Sequence, residues 1–354
     1  MHFRYTNVCL EAICYELPDE IVTSDEIELR LAPLYQRLRL PEGRLAMMSG
    51  IEARRFWPVG TQPSQMSVRV GQRTIEAVGI DPQTIGALVH GSVSRDFIEP
   101  ATAAGVHHGL GLSTNCLLYD VSNACLGLLN GMVQIANMIE LGQIRAGLVL
   151  GTECGRELVE TTIKALNADE TLSRNDIKSA FASLTIGSAA AGILLVHRDF
   201  SRTQNRFLGG VAAAATDHCD LCRGGHDQSD GTTGLLMNTD SETLMQQGVA
   251  AARTTFEQFC DHLDWQPSDI NKIFCHQVGR AHRRLLLDTL GLSSEIDYTT
   301  VERLGNTGSV ALPVTASLGI ENGHLSAGDR VALLGIGSGI NVLMLGLQWQ
   351  TQTS

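Results

Sequence analysis

Two stretches of this chain recur at one spacing, and that recurrence limits the fold more than any other feature of the sequence. "IGALVHGSVS" begins at residue 85 and "INKIFCHQVG" at 270, while "IRAGLVLGTECG" begins at 144 and "DRVALLGIGSG" at 329. Both pairs are 185 residues apart. All four are short and rich in Val, Ile and Leu, the pattern of strands buried on both faces of a sheet. One offset shared by two pairs describes an internal duplication: two similar α/β halves, residues 1–203 and 204–354, joined near residue 203. On that offset Cys125 falls opposite Val310. The turn "VSNACLG" in the first half therefore mirrors "GNTGSVALP" in the second, and a pseudo-twofold would bring the two turns together at the middle of the molecule.

Within the first half, strands are expected at 85–93, 116–121 and 146–153. Between the last two, Leu128, Met132, Ile135 and Ile139 fall at helical spacing, with Leu129, Val133 and Met138 adding apolar character on other faces. A helix apolar nearly all round belongs in an interior. It should start at or just before Cys125 and stop at Gly142. The charged stretch 155–184 breaks this rhythm and reads as an inserted helical excursion, a lid or dimer-facing element; 223–234 reads as a polar loop.

The net charge of −12 argues against a nucleic-acid binder, which needs clustered Lys and Arg against phosphate. Nine scattered cysteines, several inside apolar runs, point to a reducing compartment rather than a disulfide framework. No apolar run approaches the roughly 18 residues of a membrane span, and no leader-like segment opens the chain. A cytoplasmic protein is expected.

Cys125 sits where a buried helix begins. Helix N-terminal amides favour thiolate over thiol and can also hold an oxyanion formed as the sulfur attacks a carbonyl. A buried cysteine is, however, more often a small hydrophobe. His276 follows the equivalent strand of the second half, and Asn306 lies in "GNTGS" thirty residues later. Each alone reads as a structural residue. Together they place Cys, His and Asn at repeat-equivalent turns. "HCDLCRGGH" (218–226) holds one C-x-x-C with flanking His218 and His226, too few spaced ligands for a structural zinc site. No metal is expected.

"DVSNACLGLLNG", "HQVGRAH", "GNTGSVALP" and "ALLGIGSGIN" resemble, in this order, the thiolase-superfamily condensing enzymes, in particular 3-oxoacyl-[acyl-carrier-protein] synthase III. The resemblance implies a five-layered αβαβα fold, a homodimer, and a Cys-His-Asn site at the base of a pantetheine tunnel. Cys125 would take an acyl group as a thioester, and His276 and Asn306 would stabilise an enolate oxygen. The amides of Cys125 and Gly339 would form the oxyanion hole. CoA or phosphopantetheine thioesters would be substrates, with no cofactor. Two departures stand out. The family's "HQAN" is "HQVG" here, with Gly279 in place of asparagine, and the tryptophan and arginine that stack a CoA adenine are missing near "MMSGIEARRFW".

"GSVSRDFIEPATA" (91–103) resembles the subgroup that joins two fatty acyl-CoAs head to head in bacterial long-chain olefin synthesis, where the glutamate of this motif, Glu99 here, reaches the active site. The chemistry supplies a reason. A malonyl donor forms its carbanion by losing carbon dioxide, whereas an ordinary acyl-CoA must lose an α-proton to a base. Non-decarboxylative joining of two acyl-CoAs is therefore expected, with decarboxylative condensation onto malonyl-acyl carrier protein as the alternative. Arg280, Arg283 and Arg284, and less strongly Arg54 and Arg55, are candidates for the phosphates of CoA or of carrier-bound phosphopantetheine. An acyl-binding protein that kept the fold and lost turnover is the competing class.

Overall fold

The computed structural model describes residues 1–174, 176–226 and 235–350. Ten strands make one mixed sheet: β1 (His2–Arg4), β2 (Val8–Glu16), β3 (Ala87–Gly91), β4 (Leu117–Val121), β5 (Ala146–Glu153), β6 (Ala189–His197), β7 (Arg206–Ala214), β8 (Lys272–Cys275), β9 (Arg330–Gly337) and β10 (Asn341–Gln348). The sheet is two five-stranded portions, β4-β3-β5-β6-β2 and β8-β9-β10-β7-β1. Between β2 and β7 the ladder has a single pair, Cys9 with Arg206.

Direction repeats as well as order. β3 runs parallel to β5, which is antiparallel to β6, itself antiparallel to β2. β8, β9, β10 and β7 follow the same sequence of directions. The 185-residue offset read from the sequence is therefore a duplication of strand topology.

Alternation along each strand explains the layers. On β9, Val331 and Leu333 point to one cluster while Ala332 and Leu334 point to another. On β5, Val149 and its neighbours Leu148 and Leu150 divide likewise. A strand apolar on both faces must be covered on both. Helices α1 (Pro63–Val78) and α2 (Thr102–Leu110) cover the outer face of the first portion through Val70, Ile75, Val106 and Leu110. Between the two portions lie α3 (Gly127–Glu140) and α6 (Ala311–Glu321), and over the outer face of the second lie α4 (Ser241–Leu263) and α5 (Arg280–Leu290). The result is the expected αβαβα stack.

α3 buries Leu128, Leu129, Met132, Ile135 and Ile139 almost completely. At about 1.5–3 kcal/mol per such side chain, that burial dominates the central layer. The helix starts at Gly127, two residues later than the sequence suggested, and ends before Gly142, whose φ of +70° turns the chain away. Its close approach to β3 demands glycine on both sides: a Cβ on Gly91 would lie 2.5 Å from the Gly127 carbonyl carbon.

The excursion after residue 155 forms helix Arg156–Ala168, which packs Val159, Ile163 and Leu166 against Ile27 and Leu34 of the short helices Ser24–Arg30 and Ala32–Leu38 and against Leu31 between them. Among the described residues this cap has no counterpart in the second half. Of the polar loop read at 223–234, 222–226 pairs as a hairpin strand with 235–239, and 227–234 lie outside the described residues. Among the described residues no helix is long and apolar enough to cross a membrane.

Candidate active site

A cavity of about 1100 Å³ opens between the cap and the central layer, and Cys125, His276 and Asn306 all line it. Cys125 stands in a tight turn between β4 and α3. Ala124 takes a left-handed φ of +44°, and the Leu126 amide closes the turn onto Asn123 O at 2.9 Å. A non-glycine residue held there marks a backbone constrained by its surroundings.

The thiol itself departs from expectation. Burial first, then the carboxylate of Glu153 and the thiol of Cys222, push it up to about 12, while hydrogen bonds from the Ser338 and Cys125 amides pull the other way. Desolvation and a like-signed neighbour outweigh these two amides, so Cys125 rests as a neutral thiol rather than a thiolate. Gly337 and Ser338 line the cavity and the Ser338 amide approaches the sulfur, whereas Gly339, the expected second oxyanion donor, does not line it.

His276 continues β8, its amide donating to Leu334 O at 3.0 Å. The next residue locks it: Gln277 accepts from the Thr300 and Val301 amides at 2.9 and 3.1 Å and donates to Tyr298 O. Neither ring nitrogen of His276 has a protein partner among the described residues. Burial, then the nearby His282, hold the imidazole down at about 3, so it is neutral at physiological pH and has one N–H to donate. His282 also lines the cavity and is likewise lowered by burial, to about 4.

Asn306 is gripped by the first half: its amide donates to Thr185 O and its carbonyl accepts from the Gly187 amide, both at 2.9 Å. Its Oδ1 accepts from the Gly308 amide at 3.0 Å. That bond leaves the Nδ2 hydrogens as donors for an oxygen in the cavity. Gly279, which replaces the expected asparagine, abuts Ser49, where a Cβ would lie 2.8 Å from the carbonyl oxygen.

The remaining candidates separate from the site. Glu99 is exposed and does not line the cavity of its own chain, because the loop after β3 carries it outward. None of the five arginines lines the cavity. Arg54 is fully buried and braces Val22 O, Ser24 Oγ and Leu184 O, and Arg55 donates to Pro18 O at 2.7 Å. Arg283 pairs with buried Asp297 at 2.6 Å, exposed Arg284 lies 3.7 Å from Asp288, and exposed Arg280 packs its stem against Gly50. Arg54, Arg55 and Arg283 are thus held by protein partners, while Arg280 and Arg284 are exposed on α5, Arg280 between the lining residues Gly279 and Ala281.

Arg44 and Lys178 are the cationic residues that do line it, and no pattern in the sequence marks either. Cys222 faces the cavity while Cys219 is exposed beside Asp220, so the C-x-x-C divides between two surroundings. Glu153, also on the wall, was missed although its position was readable: it closes β5 as Ser338 follows β9, 185 residues on.

Comparison with known proteins agrees with this geometry. Residues 51–205 match the thiolase N-terminal domain, and residues 260–349 match the 3-oxoacyl-[acyl-carrier-protein] synthase III C-terminal domain. The chain is 41% identical over 350 residues to an acyl-CoA:acyl-CoA alkyltransferase of Shewanella oneidensis, covering 98% of this chain and all of that one. It is 33% identical to one of Xanthomonas campestris, covering 98% and 99% of the two chains. The solved structure of a glutamate variant of Xanthomonas campestris OleA superposes with a TM-score of 0.93 at 33% identity, covering 99% of this chain and 100% of that one. A cysteine variant of it, with bound lauric acid and lauroyl-CoA, gives 0.92 at 33% identity, covering 98% and 100%. The altered glutamate and cysteine of those variants stand 26 positions apart, as Glu99 and Cys125 do here. By sequence, topology and motif, the chain belongs to the thiolase-fold condensing enzymes, in the family of the acyl-CoA:acyl-CoA alkyltransferases.

Proposed function

We propose that this enzyme joins two fatty acyl-CoAs head to head, without loss of carbon dioxide, to give a β-ketoacyl-CoA. The observation that carries the reading is the convergence of Cys125, His276 and Asn306 on one cavity. In the first half-reaction the Cys125 sulfur attacks the thioester carbonyl. The amides of Cys125 and Ser338 stabilise the tetrahedral oxyanion, the thiol proton passes to the departing sulfur, and free CoA leaves.

In the second half-reaction another acyl-CoA gives up its α-proton. The enolate oxygen receives hydrogen bonds from neutral His276 and from Asn306 Nδ2. Its α-carbon then attacks the acyl-Cys125 carbonyl, and the carbon–sulfur bond to Cys125 breaks with return of a proton to sulfur. Thioesters and side chains suffice for both steps, so no cofactor is called for.

Glu99 is the base of this proposal, and its outward position makes it the base of a neighbouring active site. Val93, Phe97 and Ile98 on the same loop are 54%, 57% and 97% exposed, and Leu117 on β4, an end of the sheet, is 54% exposed. A second copy against that apolar edge would bury these side chains and carry each Glu99 toward the other chain's cavity. The working enzyme is thus a cytoplasmic homodimer taking acyl-CoA, with acyl carrier protein as the alternative thioester carrier.

Product analysis tests the reading: long-chain acyl-CoA alone should yield β-ketoacyl-CoA and one free CoA per product. A strict requirement for malonyl-acyl carrier protein would replace it with the decarboxylative reaction, and a wild-type protein that takes no acyl adduct would leave only binding. Mixing Glu99→Gln chains with Cys125→Ala chains should restore condensation if the carboxylate acts across the dimer. No recovery in verified mixed dimers would remove Glu99 as a base in trans.

A further inference from the structure

Glu153 is the charged side chain that touches both halves of the site. It is 6% exposed, and its carboxylate receives five donors. From the loop after β3 come the Val93 amide at 3.0 Å, the Ser94 amide at 3.1 Å and Ser94 Oγ at 2.8 Å. From the second half come Ser309 Oγ at 2.5 Å and the Ser309 amide at 3.4 Å. Ser309 lies three residues beyond Asn306, and the Val93–Ser94 segment opens the loop that bears Glu99. Gly308, between Asn306 and Ser309, leaves room for the carboxylate: a Cβ there would lie 3.3 Å from its carbon.

We infer that Glu153 is the positioning residue of the condensation step, clamping the Asn306 turn and the root of the Glu99 loop in register around Cys125. This rests on the acyl-CoA condensation proposed above. The donor count favours holding over proton transfer at this position. A carboxylate offers about four lone-pair sites, and five donors from protein leave none for a substrate proton. Its role is to set where other groups stand. The two oxygens divide the work, one taking Val93 and Ser309, the other Ser94. A shift in this one side chain therefore moves the enolate-stabilising turn and the base-bearing loop together.

Acylation needs neither of those, since Cys125 and its two amides complete it. The clamp should then matter for the second half-reaction and little for the first. Glu153→Gln keeps the shape but turns an NH₂ toward donors. It should leave the rate of Cys125 acylation, followed by intact mass, within about threefold, and slow condensation by roughly 10–100-fold, the scale on which small misplacements act. Acyl-enzyme should accumulate.

Ser309→Ala and Ser94→Ala each remove one side of the clamp, and should each show a smaller form of the same split. They carry the test if Glu153→Gln does not fold. Equal falls in acylation and condensation across the three variants would overturn the inference, as would unchanged condensation. Wild-type enzyme that acylates but never condenses two acyl-CoAs would instead overturn the reading on which it rests.

Discussion

The two halves place different residues at equivalent points of the same scaffold. At the end of β3 stands Gly91, and 185 residues later, after β8, stands His276. Cys125 answers to buried Val310, and Glu153 to Ser338. At the first position glycine is required, because α3 comes so close that a Cβ would meet backbone at 2.5 Å. At the second an imidazole fits and turns its free nitrogens inward. Each chemical part is thus present in one copy, while the backbone that holds it is present in two. The duplication supplies paired strand ends and helix starts at a shared centre; of the pairs Cys125/Val310 and His276/Gly91 only one member lines the cavity, while Glu153 and Ser338 both do.

Cys125→Ala is the strongest test of that division. Condensation should fall more than ~10⁴-fold, since a unit of covalent catalysis is lost with its nucleophile, and no acyl adduct should appear by intact mass. Adding Val310→Cys to it should restore nothing, because position 310 is sealed in the central layer. Any acylation there would break the asymmetry of the halves.

Asn306→Ala should cost about 10²–10³-fold in condensation, the usual price of an oxyanion donor, while Cys125 still acylates. Equal loss of both half-reactions would move Asn306 from the enolate to the nucleophile. Gly91→Ala probes the scaffold. With the colliding atom a backbone carbonyl carbon, a loss of about 3 kcal/mol or more in unfolding free energy is expected. A near-neutral result by denaturant titration would mean that α3 can retreat from β3.

Strand position 90 sharpens the comparison by pH. His90 is buried in the first half, where Cys275 stands in the second. Burial holds His90 at about 4 against an ordinary 6.5, and its neutral ring bonds Ser67 Oγ at 3.0 Å. An unfolded chain takes up this proton at higher pH than the folded one. The contribution is therefore complete above pH 6.5 and is lost as pH falls toward about 4. Over that window His90→Cys should flatten the fall in stability by roughly 1.4 kcal/mol per pH unit. An unchanged slope would show that His90 is already charged in the native state. The smallest effect belongs to Arg284→Ala, which should leave the KM for acyl-CoA within about twofold, as exposed pairs contribute little. A larger change would return that helix face to the substrate.

How far the sequence could be read follows from where each signal originates. The limits of β5, Ala146–Glu153, coincide with the run seen in the sequence, because a strand covered on both faces writes its whole length in apolar residues. Cys125, His276 and Asn306 were legible through motifs, and in the structure all three line one cavity. Arg54 shows why a basic residue is hard to place from sequence: a guanidinium shows its charge there and its partners only in three dimensions. At "GIGSG" the glycine drew attention, yet which amide meets the sulfur depends on how the turn is aimed, and that is Ser338. Glu99 was recognisable as a residue, but a single chain does not say whose cavity it serves.

The grip of Thr185 and Gly187 on Asn306, like the amide that Ser338 offers Cys125, crosses from one half of the chain to the other. A growing polypeptide makes its cysteine long before the imidazole, the asparagine and that amide exist. Until the last strands close the sheet, it bears a thiol with no oxyanion hole and no pocket to hold an acyl chain. Assembly of the cavity is thereby tied to completion of the fold, because neither half alone supplies all the groups that line it.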